Sequence, residues 1–258
     1  MIGVTFLGSG SKGNAALLEF GDSKFLLDAG LSCRYIVNCL KSRGVELQEL
    51  SGIILTHDHQ DHIGGLRVLL QRKNIPIFGS KGTLLGLPNY GIDPVTKCFL
   101  NAGKETEIDG IRIWPFLVPH DALEPLGLRI EFRGINLSIA TDLGHITPTV
   151  LAHLVDCDIL CVESNYDETL LESCKYLKWL KNRIRSPFGH LSNIGVRGVV
   201  SHMTRNLSHL VLVHVSQESN NPSIIKETVR PLLTLPSMKN TVVTVAAQDH
   251  STPTLLKC

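Results

Sequence analysis

The chain has 258 residues, 43% of them hydrophobic and 19% charged, with a net charge of +1. That is length and apolar content enough for a large core, and no Pro/Ser/Gly-rich linker, charge block or low-complexity segment divides it, so residues 1–258 are expected to form one domain. The neutral balance speaks neither for nor against a nucleic-acid partner, which needs only a local basic patch. Met1-Ile2-Gly3-Val4-Thr5-Phe6-Leu7 lacks the basic start and apolar run of a secretory signal, and no stretch is apolar for long enough to span a bilayer, so a cytoplasmic protein with no membrane association is expected. Seven cysteines (Cys33, Cys39, Cys98, Cys157, Cys161, Cys174 and Cys258) are scattered without a C-x-x-C pair, which argues against a disulfide framework or a separate zinc knuckle.

In chain order, apolar alternation and short apolar runs predict strands at Ile2 to Leu7, Ala15 to Phe20 and Lys24 to Asp28, then a helix over Cys33 to Ser42. A strand at Gly52 to Leu55 precedes a helix over Gly64 to Arg72, and strands follow at Ile75 to Phe78, Ile111 to Val118, Leu126 to Phe132 and Ile135 to Thr141. The remainder alternates: helix Pro148 to Leu154, strand Ile159 to Glu163, helices Glu168 to Lys181 and Ser192 to Met203, strand Leu210 to His214, helix Pro222 to Leu233 and strand Thr241 to Val245. The early region runs as a meander, which disfavours a purely parallel doubly wound sheet. An α/β (α+β) architecture of two mixed sheets covered by outer helices fits better. Asp28, His57, His120, Asp142, Glu163 and His214 each fall at the end of a predicted strand, and polar groups stationed there repeatedly line one edge of a sheet sandwich.

Directly after Ile53-Ile54-Leu55, the segment Thr56-His57-Asp58-His59-Gln60-Asp61-His62 places three imidazoles and two carboxylates in seven positions. Alternation along an extended chain points His57 and His59 the same way, toward one cation, and a turn at Gln60 lets Asp61 and His62 face a second. Imidazole and carboxylate suit zinc, manganese or iron(II). The alternative is a His-rich surface loop or a cluster satisfied by hydrogen bonds, but so many titratable groups at the point where a strand enters the interior are costly to bury without a metal.

Extended to Ile63-Gly64-Gly65-Leu66, this segment resembles the T-H-x-H-x-D-H-x-x-G-L signature of the metallo-β-lactamase-fold hydrolases. Asp28 in Leu27-Asp28-Ala29-Gly30, His120 in Val118-Pro119-His120, Asp142 in Ala140-Thr141-Asp142 and His214 in Leu212-Val213-His214 resemble the other family landmarks in the family's order, from Gly8 to about Pro222. The resemblance implies a four-layer αββα sandwich. It also implies that His57, His59 and His120 hold one metal, that Asp61, His62 and His214 hold a second, that Asp142 bridges them, and that Asp28 braces the ligand loop.

The bond hydrolysed differs between branches of such a superfamily, so finer features must separate them. Val162-Glu163-Ser164-Asn165-Tyr166 and Gly189-His190-Leu191-Ser192-Asn193 resemble the glutamate and histidine loops of the phosphodiesterase branches, among them tRNase Z, although Leu191-Ser192-Asn193 departs from the Ser-Thr-Ala of that enzyme. His120 and Asp142 are 22 positions apart (142 minus 120), too close for the tRNA-gripping arm of tRNase Z, and Asp142 and His214 are 72 apart (214 minus 142), too close for the inserted domain of the mRNA-cleavage nucleases. Together with Gly8-Ser9-Gly10-Ser11-Lys12-Gly13-Asn14 and His214-Val215-Ser216-Gln217-Glu218-Ser219-Asn220-Asn221-Pro222, these loops are similar to the YycJ-like (WalJ-like) branch. Members of that branch are regarded as 5′-to-3′ DNA exonucleases linked to repair.

Such a resemblance implies a two-metal phosphodiesterase with a nucleic-acid substrate, DNA before RNA, and no obligate protein partner. Asp61 would take the proton of the attacking water, and His190, oriented by Glu163, would protonate the leaving oxygen. The glycine-rich loop bearing Ser11 and Asn14 is either a phosphate cradle built of backbone N–H groups or a plain hairpin turn. Lys175-Tyr176-Leu177-Lys178-Trp179-Leu180-Lys181-Asn182-Arg183-Ile184-Arg185 offers either a basic stripe of Lys175, Lys178 and Lys181 that follows a phosphate backbone, with Tyr176 or Trp179 stacking on bases, or a solvated helix that packs Leu177, Trp179 and Leu180 inward. Ser192 and Asn193 complete the candidate substrate contacts. The competing functions are an RNA-processing phosphodiesterase, a thioester or lactam hydrolase of the same fold, and a non-catalytic metal-dependent nucleic-acid-binding module.

Overall fold

The computed structural model describes residues 1–257. Its first sheet runs from the hairpins β1 (Ile2–Gly8), β2 (Ala15–Phe20) and β3 (Ser23–Leu27) through β4 (Leu50–Ile54), β5 (Ile77–Gly79) and β6 (Lys97–Phe99). The second contains β7 (Thr106–Ile108), β8 (Ile111–Leu117), β9 (Leu126–Phe132), β10 (Ile135–Ala140), β11 (Ile159–Glu163), β12 (His209–Val213) and β13 (Val242–Val245), and β14 (Leu255–Lys257) returns to pair with β1. Each sheet is half antiparallel and half parallel. Strands β14-β1-β2-β3 are antiparallel and β3-β4-β5-β6 parallel; β7-β8-β9-β10 are antiparallel and β10-β11-β12-β13 parallel.

Helices close both outer faces, because the strands carry apolar residues on both sides. Leu18, Phe25, Leu27 and Ile54 of the first sheet meet Ile113, Ile130, Leu137 and Val211 of the second in the central layer, where Phe20 and Phe132 stack edge-to-face at 5.9 Å. The other face of the first sheet (Leu17, Leu26, Ile53) buries Ile36 and Leu40 of α1 (Cys33–Lys41) and, beyond the short α2 (Gln60–Ile63), Leu66 and Leu69 of α3 (Leu66–Arg72). After α4 (Lys81–Gly86), α5 (Pro148–Leu154) joins the layer outside the second sheet. That layer continues in α8 (Asn193–Val200) and α9 (Pro222–Val229), while α6 (Glu168–Ser173) and α7 (Lys178–Ile184) pack around Tyr166. The expected αββα sandwich is therefore the observed one, with runs such as Ile53-Ile54-Leu55 buried on both faces.

Three local expectations need correction. The single helix expected over Glu168 to Lys181 is two, because Cys174 and Leu177 take extended backbone (ψ 167° and 148°). Ser173 Oγ bonds back to the carbonyls of Thr169 and Leu170, and the break lets Arg185 fold back onto Glu168 and Glu172, with Nη2 2.8 Å from Glu172 Oε2. Helix α9 stops at Val229 and tightens into a 3₁₀ turn at Arg230–Thr234, since Pro231 has no N–H to continue the ladder. Strands β6, β7 and β14 were not expected; three residues are too short to display a period. Among the described residues, no helix is long and apolar enough to cross a membrane.

Candidate active site

The polar residues converge where the parallel strands of both sheets end. Asp28 follows β3, the His57 loop follows β4, Asp142 follows β10, Glu163 ends β11 and His214 follows β12. Asp28, Asp142 and His214 have left-handed backbone (φ 57°, 53° and 52°), an unfavourable state for residues with a Cβ that turns the chain sharply as it leaves the strand. The ligand loop is held equally closely: Asn14 N–H donates to the Asp61 carbonyl at 2.8 Å, and a Cβ on Gly30 would lie 1.7 Å from that same carbonyl oxygen.

Two groups of candidate metal ligands result, His57 with His59 and His120, and Asp61 with His62, Asp142 and His214. Each imidazole is fixed through one nitrogen and presents the other to its group. His57 Nδ1 lies 3.0 Å from Thr56 Oγ1, His120 Nδ1 3.0 Å from the Gly189 carbonyl, and His59 Nε2 3.2 Å from the Asp121 carbonyl. His62 Nδ1 lies 2.8 Å from Asp28 Oδ2, and His214 Nδ1 2.8 Å from Glu163 Oε1. Acceptors on one side leave a lone pair on the other, which is how proteins orient imidazoles toward a cation. Two buried atoms at the centre lack a hydrogen-bond partner among the described residues, His57 Nε2 and Asp142 Oδ2, the latter 3.1 Å from His62 Nε2. Orphaned polar atoms are rare in interiors, and here each belongs to one of the two ligand groups. The residues present fit divalent metals.

The electrostatics divide the same way. Burial, with the neighbouring His62, holds the His57 imidazole well below its ordinary pKa, and burial lowers His120 too. Burial opposes charge at His62 and His214 as well, but Asp28 and Asp142 outweigh it at His62, and Asp142, Asp61 and Glu163 do so at His214, which is raised to about 10. Asp142 is itself held well below the carboxylate range against its burial, chiefly by His214 and His62.

Glu163 has two partners where the sequence suggested one. It is fully buried, and its Oε1 accepts from both His190 Nδ1 and His214 Nδ1 at 2.8 Å, while Oε2 accepts the N–H groups of Leu143 and Leu191 at 2.9 and 3.0 Å. Although Glu163 and His190 group with Asp142 and His214 closely enough to hold a metal, these four hydrogen bonds already satisfy the carboxylate. His190 is thereby aimed, with Nε2 free, into a cleft of about 230 Å³ that Ser11, His59, Asp61, Asp142 and His214 also line.

Several expected substrate contacts do not survive. The N–H groups of Ser9, Gly10, Lys12, Gly13 and Asn14 are taken up by Ala247, Asn14 Oδ1, Gln248 Oε1, Gly10 and Asp61, so the glycine-rich loop does not cradle a phosphate with them; it ties the ligand loop to the C-terminal segment. Asn14 is buried, with Nδ2 3.3 Å from Asp61 Oδ2 and 3.1 Å from His62 Nε2, and braces ligands instead of meeting solvent. Asn193 is buried too, bonded to Ser164 and Asn220, and Ser192 caps α8 by accepting from Gly195 N–H. Lys175 lies in the extended break before α7 and so shares no helical face with Lys178 and Lys181; both Lys175 and Lys178 are exposed outside the cleft lining, and Lys181 folds onto the Glu172 carbonyl. The inward-packing alternative fails for Leu177 and Trp179, which are 66% and 64% exposed, whereas Leu180 and Tyr176 line the cleft. Ser11 remains at the cleft wall.

Sequence reasoning missed Asp121, Arg183, Thr56 and Asn165. Thr56 Oγ1 links Asp28 to His57, and Asn165 Nδ2 donates to the His214 carbonyl at 2.8 Å. Arg183 binds Asp121 side-on at 2.7 and 3.0 Å, which holds the Asp121 carboxyl below its usual range despite partial burial. The adjacency of Asp121 to His120 was a usable signal. The basic segment pointed to its lysines when the residue that enters the cleft is its arginine.

Strand-end ligands converging at one edge of two mixed sheets define a metallohydrolase of the αββα class. The family described as a beta-lactamase superfamily domain matches residues 23–215, and the chain belongs to it: it is a hydrolase of the metallo-β-lactamase superfamily. It is 31% identical over 221 residues to exodeoxyribonuclease WalJ of Streptococcus pneumoniae, covering 84% of this chain and 82% of that protein. To exodeoxyribonuclease YycJ of Bacillus anthracis it is 29% identical over 233 residues, 88% and 87% of the two chains. The crystal structure of the metallo-β-lactamase fold protein YhfI from Bacillus subtilis superposes with a TM-score of 0.72 at 16% identity, covering 97% of this chain and 98% of that one.

Proposed function

We propose that the chain is a dinuclear metal-dependent phosphodiesterase acting as a 5′-to-3′ exonuclease on DNA, in the cytoplasm and in the service of repair. The observation that carries the reading is His190, buried on one side by Glu163 and open to the cleft on the other, beside but outside both ligand groups. A thioester expels a thiolate that leaves without a proton, whereas a nucleotide alkoxide leaves poorly without one. Similarity to WalJ and YycJ over most of the chain supports the same choice.

His57, His59 and His120 would hold one divalent ion, Asp61, His62 and His214 the other, with Asp142 between them; zinc or manganese suits this donor set, and iron(II) is compatible with it. Such ions, when bound, make water nucleophilic near neutral pH and offset the negative charge of the transition state. Asp61, a quarter exposed at the cleft wall, accepts the proton of the attacking water. His190 donates from Nε2 to the leaving oxygen while Glu163 keeps its Nδ1 protonated. Purified protein loaded with Mn²⁺ or Zn²⁺ is to be given bis-p-nitrophenyl phosphate, a nitrocefin-type lactam and a thioester. Turnover of the phosphodiester alone is expected, and turnover of lactam or thioester instead would sink the proposal. Digestion of end-labelled single and double strands of DNA and RNA, with and without a 5′-phosphate, then tests polarity and sugar preference.

A further inference from the structure

One cation in the cleft is left over by the chemistry just described. Arg183, near the end of α7, lines the cleft with His59, Asp142 and His190. Its Nε and Nη2 donate to Asp121 Oδ2 and Oδ1, and its Nη1 has no protein partner among the described residues. Asp121 is in turn tied to the histidine group, its carbonyl 3.2 Å from His59 Nε2 and its Oδ1 3.5 Å from His120 Nε2. A guanidinium carries five N–H donors; two are engaged, and of the three that remain two lie along the Nη1/Nη2 edge. That edge matches two phosphate oxygens, and the carboxylate behind it fixes the plane in advance. The side chain is 41% exposed, so the spare edge is accessible. Four residues earlier on the same helical face stands Trp179, 64% exposed and outside the apolar cluster that α6 and α7 form around Tyr166.

Resting on the phosphodiesterase reading, we infer that Arg183, held by Asp121, receives the phosphate next to the scissile one, with Trp179 stacking on that nucleotide's base. The site is then built for the unpaired end of a strand, since a stacked base has left its duplex partner. A lone phosphodiester leaves both contacts empty.

The metal-loaded protein and its Arg183→Gln, Arg183→Lys and Trp179→Ala variants are to be compared on single-stranded, 5′-phosphorylated DNA of about 12 nucleotides and on bis-p-nitrophenyl phosphate, with metal content measured for each. Arg183→Gln is expected to raise KM for the strand by roughly 10- to 100-fold, with a loss on the small ester at least about ten-fold smaller, and to reduce the salt dependence of strand binding by about one charge. Arg183→Lys should recover the salt dependence but only part of the affinity, because an ammonium lacks the fork. Trp179→Ala should weaken strand binding by roughly 5- to 100-fold. Equal losses on both substrates, a loss in kcat in place of KM, or a fall in bound metal would overturn the inference, as would a wild-type protein that cleaves the ester and leaves the strand intact. A wild-type protein that cleaves neither overturns instead the phosphodiesterase reading beneath it.

Discussion

The two halves of the site differ in what stands behind their ligands. His57, His59 and His120 are backed by neutral oxygens, those of Thr56, Asp121 and Gly189. His62 and His214 are backed by the carboxylates of Asp28 and Glu163, whose side chains are 4% and 0% exposed. A carbonyl or hydroxyl orients an imidazole, whereas a carboxylate also makes it a stronger donor and stabilises positive charge. Each half reaches the cleft through one ligand, His59 at 27% and Asp61 at 24% side-chain exposure, so the groups behind the imidazoles are what sets them apart. Two sites of equal ligand number are thus unequal by construction: the carboxylate half should grip its cation and the histidine half should exchange it.

The most damaging way to test this is at Asp142, the residue proposed to lie between the two ions. Asp142→Ala is expected to cost more activity than the roughly 10- to 100-fold typical of losing a bracing group, and to lower metal content in both halves; kinetics with bis-p-nitrophenyl phosphate and elemental analysis would show it. A loss no larger than that of Asp28→Asn would mean that Asp142 does not touch both ions. Next in size is His190→Ala, which should lower kcat on DNA by roughly 10² to 10⁴ with metal content near normal, and should hurt the p-nitrophenyl ester far less, because that leaving group departs without a proton. If metal is lost with His190, it belongs to the ligand set and the comparison of halves must be redrawn.

Glu163→Gln separates the two roles of one carboxylate. Its Oε1 serves both His190 and His214, so the variant should lose rate through one and metal affinity through the other, each within roughly 10- to 100-fold. Asp28→Asn should show the metal effect without the leaving-group dependence. Metal retention after graded chelation, followed by thermal melting, sharpens the comparison further: one ion should leave well before the second, with the larger fall in Tm accompanying the second. Simultaneous loss would show the halves to be equivalent. The smallest effect is expected at Lys175→Ala, which should leave the salt dependence of strand binding unchanged, without the loss of about one charge that removal of a phosphate contact brings, since that lysine lies outside the cleft.

The sheet sandwich could be read from the chain because its strands are long, apolar and buried on both faces, so that Ala15–Phe20 and Leu126–Phe132 begin and end where their composition changes. The ligand loop was legible for a different reason. Five titratable groups lie within seven residues, and the strand end feeds four of them, all but Asp58, to one place. Asp28, His120, Asp142 and His214 could be added because they stand at predicted strand ends in the order that the resemblance to the metallo-β-lactamase fold implies. By contrast, the break between α6 and α7 depends on Arg185 reaching back to Glu168 and Glu172, and the choice between an anion site and a plain turn at the glycine-rich loop depends on N–H groups that bond to Gln248 and Asp61.

By itself, the sequence determined the architecture and the chemical type of the site, because periodicity and ligand spacing act over a few residues, within reach of local geometry. Only the tertiary structure decided which polar groups face the cleft and which are used up inside it. Asn14 and Asn193 turned inward, Glu163 acquired a second imidazole 51 residues away, and Arg183 was fixed by an aspartate 62 residues distant. A hydrogen bond is directional and made with whatever the fold brings within about 3 Å, so its partner is a property of the folded chain and not of the neighbouring letters.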